Sequence, residues 1–425
     1  MNKFFLYLVL LLFLSNCGLG NKDVVENNQN AKVLFEKPKP IEQELNQTLN
    51  IKISTITKGE PFLSNTTNNN GNLNFFSKFE NIFSYKFSSI DNFNFNQLEL
   101  LFTDDNNLIF FNGKGEIFKV SKDFEEYWKV NHYTKKEKKY NPILYFTQAG
   151  SNIIVMDTLS KVYSLKSDNG DLNWSIKSRT GFNSNAKITK NRVIAVDFDN
   201  VIRAFSINDG KELWNFVTEN PFIKSQKKLS LAIKGEVVFF LNSIGDITAL
   251  NINDGSLVWQ TPTQSAIIFQ DAFKLENSDI IFANDTIYFS NNRNEFFAID
   301  ARSGVLKYKQ TINSSLRPTV IEDYVFSISK EGFLFVIDDK TGNVLRITNI
   351  FKKIENKKKQ IEPTGFILAQ NKIYVSLSNG RLIKVDVISG NEEGYFKIGK
   401  SKINRPNVFN DGMFILKSNA IIKVE

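Results

Sequence analysis

Residues 204–214 read AFSINDGKELW, and residues 249–259 read ALNINDGSLVW. A chain that writes one turn and one tryptophan twice at the same offset is built from a repeated unit, and this constrains its fold more than any single residue does. Aligned on the turn glycine, further copies are VYSLKSDNGDLNW, FFAIDARSGVLKY, LFVIDDKTGNVLR and LIKVDVISGNEEG. The glycines are Gly170, Gly210, Gly255, Gly304, Gly342 and Gly390, at successive spacings of 40, 45, 49, 38 and 48 residues. Four residues after the glycine stand Trp174, Trp214, Trp259 and Tyr308; the position then degrades to Arg346 and Gly394. IFKVSKDFEEYW (117–128) is an earlier degenerate copy, with Phe124 in the glycine place and Trp128 in the tryptophan place.

Two short apolar runs precede each turn, such as RVIAVDFDN, EVVFFLNSIGD and KIYVSLSNG. Each run is rich in β-branched and aromatic residues and stops at Asn, Asp or Gly, the grammar of strand, turn and strand. No helical period is sustained in this region. Four-stranded units of 40–50 residues in series predict an all-β propeller. Seven units can be counted between residues 117 and 394. RPNVF, GMFILKS and AIIKVE then supply three more strands before the sequence stops, leaving an eighth blade one strand short. FENIFSYKF, near residue 80, is an unassigned strand. Placed outside the last three, it closes the ring and hides two open edges. The expectation is an eight-bladed β-propeller over residues 73–425 whose closing blade is built from both termini.

The chain holds one Cys, Cys17, and one His, His132, among 425 residues. That excludes an intrachain disulfide and zinc sites built on several Cys and His ligands. The formal charge of +8 is mild for this length and does not argue for nucleic acid. MNK followed by the apolar run Phe4–Leu14 is too short to span a bilayer and reads as a signal segment, residues 1–16. The only Cys follows at once in LSNCG, which resembles a bacterial lipobox, although Asn16 stands where small residues are preferred. The resemblance implies a lipidated Cys17 and, with Gly18 rather than Asp beside it, an outer-membrane destination. Residues 17–72 are polar and Asn-rich, with KPKP and NTTNNNG, and read as a flexible tether.

The spacing A-x5-G-x3-W at Ala204–Gly210–Trp214 and Ala249–Gly255–Trp259 resembles the tryptophan-docking motif of PQQ-type quinoprotein repeats. The resemblance implies that each Trp packs on the neighbouring blade. Burying such a ring contributes at most about 4–6 kcal/mol. Together with the lipobox and tether, these repeats resemble the BamB family of lipoproteins in the bacterial β-barrel assembly machinery. That resemblance implies a non-enzymatic subunit, monomeric within a complex, that docks on the POTRA domains of the central barrel subunit. It carries over an Arg in KSRTG, Arg179, and more loosely an acidic pair in FKLENSD, Glu276 and Asp279, as partner contacts. No cofactor is expected: the dehydrogenases of this repeat class commonly use a disulfide of adjacent Cys, which a lone Cys17 forbids. A periplasmic sugar- or peptidoglycan-binding propeller and a PQQ-dependent dehydrogenase are the alternatives.

In a propeller the DG turns share a face with the turns joining the first two strands of each blade. The loops between blades share the opposite face. Long inter-blade segments at 178–185, 219–228 and 263–279 therefore point to that opposite face as the recognition surface. The DG turns read as turns and not as calcium loops, because the alternate positions before Asp209 are Ile207 and Phe205.

Overall fold

The computed structural model describes residues 43–44 and 51–425, other than 55, 57–64, 92, 94–97, 220–224, 226, 265–274, 353 and 355–360. The signal segment and Cys17 lie outside the described residues. Among the described residues, no helix is long and apolar enough to cross a membrane.

The strands form eight antiparallel blades, each with strands A to D from the axis outward. Blades 1 to 7 span residues 101–130, 144–177, 187–217, 230–262, 281–310, 319–349 and 363–397. Blade 8 takes strands A to C from 407–424, and its outer strand is Ile82–Lys86, with Ser84 opposite Ile422. The chain thus closes as the strand count predicts. Inner strands are buried on both faces, as in Asn107–Phe111 and Pro363–Ala369. The D strands alternate, as in Glu212–Val217, where Trp214 is buried between exposed neighbours.

The repeated residues have repeated jobs. In the C–D hairpins of blades 1 to 7 the register shifts by one residue after the position opposite the Trp, as between Ala204 and Phe205 and between Ala249 and Leu250. The glycine of the next blade's turn sits at φ near +75°. A Cβ on Gly255 would lie 2.6 Å from the Trp214 ring, and one on Gly210 2.5 Å from the Trp174 ring. Glycine is therefore required twice over, for its left-handed backbone and for the close approach of the indole. Each indole also donates to the carbonyl three residues before that glycine. Trp128 reaches Ser167 O at 3.1 Å, Trp174 Ile207 O at 3.2 Å, Trp214 Ile252 O at 3.0 Å and Trp259 Ala301 O at 3.0 Å. The B–C turns are held by Asp or Asn side chains that accept from two backbone N–H groups downstream, as Asp197 does from Asp199 and Val201.

Two degenerate positions have structural reasons. Arg346, in the tryptophan register of blade 6, is buried and donates to Val387 O and Ile388 O. Val387 is three residues before Gly390, so the guanidinium reaches the carbonyl that an indole reaches elsewhere. Gly394 has no such partner to reach, because blade 8 has no C–D turn: its C strand ends the sequence and its D strand comes from the other end. Phe124, in the glycine place of blade 1, adopts φ 70° and packs on Tyr85 and Phe414.

The tether expected over 17–72 does not run to residue 72. Gln43–Glu44 adds a short strand outside blade 6, Ile51 is buried in the core that blades 6 and 7 share, and residues 65–73 bond to the inner strands. His132 is half-buried: its ring meets Tyr163 edge-on, and Nε2 lies 3.2 Å from Gly170 O.

Candidate functional face

Arg179 lies in the connection from blade 2 to blade 3, beside the B–C turn of blade 3. It is exposed, and with Thr180, Asp199, Val201, Arg203, Glu212, Asn215 and Val217 it lines a groove of about 300 Å³. The floor is fixed by buried charge. Arg203 pairs with Asp197 at 2.9 Å and with Glu212 at 3.1 Å, and Asn215 donates to Glu212 at 2.6 Å. Burial pushes the Asp197 carboxyl above its ordinary range, against the Val201 N–H bond and Arg203. Thr180 donates to Asp199 at 2.6 Å, which ties the connection to the turn. Val217 on the outer strand is 64% exposed and gives the groove an apolar side.

Glu276 lies in the connection from blade 4 to blade 5. Its side chain is exposed and its backbone N–H bonds to Asn292 in the B–C turn of blade 5. Arg179 and Glu276 therefore occupy equivalent sides of blades 3 and 5 on the face away from the DG turns. Asp279, expected beside Glu276 as a surface contact, is instead buried. Arg317 donates to it at 2.7 and 3.1 Å, and Lys228 stands 3.9 Å away. Although burial works to raise its pKa, the charges of Lys228 and Arg317 hold it well below the usual carboxylate range. Asp279 supports the surface from beneath and does not form part of it.

This buried cluster escapes an alignment made on the turn glycine. Glu99, Asn185, Lys228, Asp279, Arg317 and Arg405 each stand two residues before the inner strand of their blade. One register position thus sets a polar ring about the axis. Arg317 of blade 6 crosses to pair with Glu99 of blade 1 as well as with Asp279 of blade 5. Burial nevertheless pushes Glu99 up, against the attraction of Arg317 and Lys228. Lys187, at the start of the blade 3 inner strand, is pulled down to about 7 by burial and by the charge of Arg317. Aligning the repeats on their inner strands would have exposed the pattern.

The other two long inter-blade segments lie partly outside the described residues, at 220–224 with 226 and at 265–274. The connection from blade 1 to blade 2 holds a 3-10 turn, Glu137–Tyr140, where Glu137 pairs with Lys161 at 2.8 Å.

Similarity to known proteins runs through the repeats. A family model described as outer membrane protein assembly factor BamB matches residues 113–348, more than half of the chain. The outer membrane protein assembly factor BamB of Moranella endobia (strain PCIT) is 19% identical over 276 residues, covering 64% of this chain and 69% of its own. The crystal structure of BamB from Moraxella catarrhalis matches with a TM-score of 0.63 at 16% identity, over 81% of this chain and 100% of that one. A europium-containing methanol dehydrogenase matches with a TM-score of 0.67 at 9% identity, over 84% and 89%. At such identities the structural likeness speaks for the fold, which an assembly factor and a dehydrogenase share.

Proposed function

The chain belongs to the BamB family of outer membrane protein assembly factors, and from that premise we propose that it is a scaffold subunit of outer-membrane protein assembly and not an enzyme. It works by docking: the face bearing the inter-blade connections meets a protein partner, the POTRA domains of the central barrel subunit. The observation that carries this reading is the groove at Arg179, a cation and the exposed apolar Val217 set on a floor held by the Arg203 pairs to Asp197 and Glu212. A rigid floor presents Arg179 to an acidic partner without reorganisation. Glu276 adds a charge of opposite sign two blades away, which would fix orientation.

At the axis Arg317 pairs with both Glu99 and Asp279. Among the described residues no three His, Cys, Asp or Glu side chains are grouped to hold a metal ion. The proposed setting is the periplasmic side of the outer membrane, with Cys17 acylated and the polar segment after it as a lead. Two acyl signals suffice for stable anchoring, whereas one chain binds only reversibly.

Affinity isolation from detergent-solubilised membranes tests the reading. The full chain should bring down the central barrel subunit, and Arg179→Glu should reduce the yield about tenfold, a change of about 1.4 kcal/mol in binding. Wild-type chain that isolates without that subunit would contradict the proposal.

A further inference from the structure

The Asn-rich stretch before the first blade is seated on the inner edges of the blades, one after another. Ile233 of blade 4 donates its N–H to Thr66 O at 2.7 Å, and Phe282 of blade 5 donates to Thr67 O at 2.9 Å. The Asn68 amide donates to Leu231 O and to Ile280 O, both at 2.8 Å. Asn69 makes a reciprocal pair with Val320 of blade 6, donating at 2.9 Å and accepting at 3.1 Å. Asn72 and Leu73 then run parallel to Leu368 and Ala369 of blade 7, and Gln370 donates to Leu73 O at 3.0 Å. An Asn side chain holds one donor group and one acceptor, so it completes a strand edge as a peptide unit would. The backbone contacts lie toward the A–B turns, while the Asn68 amide reaches down to the start of the inner strands at Leu231 and Ile280, so the segment crosses the axis on the face opposite Arg179.

The path continues onto the joints that have no tryptophan. Phe75 meets Tyr374 of blade 7 edge-on, and Phe79 stacks on Phe396 at 4.0 Å between ring centroids. Ser77 donates to Glu425 O at 2.6 Å, which holds the end of blade 8. Residues 65–79 therefore link blades 4 to 8, while the indoles link blades 1 to 5. Besides its bonds to the disc, the segment is tied to itself where Asn65 accepts from Thr67 and donates to Asn69 O, so it keeps a shape of its own, and its large apolar anchors are Phe75 and Phe79 at one end. Such a segment opens as a local unit, below the free energy of global unfolding.

We propose that residues 65–79 are a clasp that releases and reseats as one unit, and that its seating seals the ring from blade 6 to blade 8 in place of indole joints. Released, it uncovers the inner edges of blades 4 to 7 on the DG-turn face. Seated, it closes that end of the axis and leaves only the opposite face for recognition.

Hydrogen exchange of the full chain, read by mass spectrometry at native pH, tests this. In the wild type, peptides holding Ile233, Phe282 and Gln370 should exchange at one common rate. That rate should be about tenfold or more above that of the Trp-covered turns at Gly210 and Gly255. In Asn68→Ala/Asn69→Ala the first group should quicken by a further tenfold or more, with the second unchanged. Exchange that rises equally in all blades, or in none, overturns the clasp. Should the double variant fail to fold, the wild type still decides. Equal rates for the two groups mean the segment moves only with global unfolding, and the proposal fails.

Discussion

At the joint between blades 3 and 4, Trp214 lies against Gly255 and donates to Ile252 O. At the joint between blades 6 and 7, Arg346 occupies the same register and donates to the equivalent carbonyl, Val387 O. The hydrogen bond is kept and the apolar plate is lost. An indole contributes mostly by burial and needs no help, whereas a guanidinium contributes little apolar area and must be shielded. The N-terminal segment adds to this joint: Glu44 pairs with Arg346 on the outer strand, Ile51 enters the shared core of blades 6 and 7, and Asn69 and Leu73 tie to their inner strands. One side of the ring is thus closed by side chains built into each repeat, and the other by a single segment from outside the repeats.

The two kinds of joint should differ most in their response to truncation. Trp214→Ala removes a buried ring and leaves a cavity, so urea unfolding should show a loss of about 3–5 kcal/mol. Arg346→Leu keeps part of the volume but leaves the buried Val387 carbonyl without this donor, and should lose about 1–3 kcal/mol. A loss at Arg346 equal to that at Trp214 would mean that the clasp adds nothing to this joint.

A smaller effect comes from pH. Burial and the charge of Arg317 lower the pKa of Lys187 from 10.5 to about 7, although its amine donates to Asn65 O at 2.5 Å. A lowered lysine pKa means the folded state favours the neutral amine. Stability should therefore rise with pH from about 7 toward 10.5, and the dependence should level off below 7, where both states hold the proton. Between pH 6 and 8 the change should be about 1 kcal/mol. Lys187→Met should remove that dependence, as read from urea midpoints at each pH. If the slope persists in the variant, another group is titrating.

The part of this structure that repeats was legible in the sequence, because repetition averages over the noise of single residues. Turn glycines, Trp register and the strand missing from blade 8 all follow from spacing alone. Arg346 was read as decay because an alignment sees a lost aromatic and not a retained hydrogen bond. Gly394 was read the same way, although a turn that does not exist needs no tryptophan. The segment 65–72 reads as tether because it has no alternation. Its partners are inner-strand edges and its donors are side-chain amides, so nothing in its pattern has the period of a ladder. Arg179 and Glu276 were placed on the face where they lie, since strand direction alone decides that. Asp279 was placed on the surface with its neighbour because the polar residues two positions before six of the eight inner strands show only when the blades are superposed.

The four tryptophans of the chain, Trp128, Trp174, Trp214 and Trp259, all sit at joints between blades 1 and 5. Their fluorescence therefore reports one side of the ring, while far-ultraviolet circular dichroism reports all eight blades. The most direct measurement is urea unfolding of full-chain Asn68→Ala/Asn69→Ala followed by both signals. If the ring has two closures, the dichroism should begin to fall at lower urea than the fluorescence, because blades 6 to 8 come apart first. Two coincident curves would show a single cooperative ring and contradict the account.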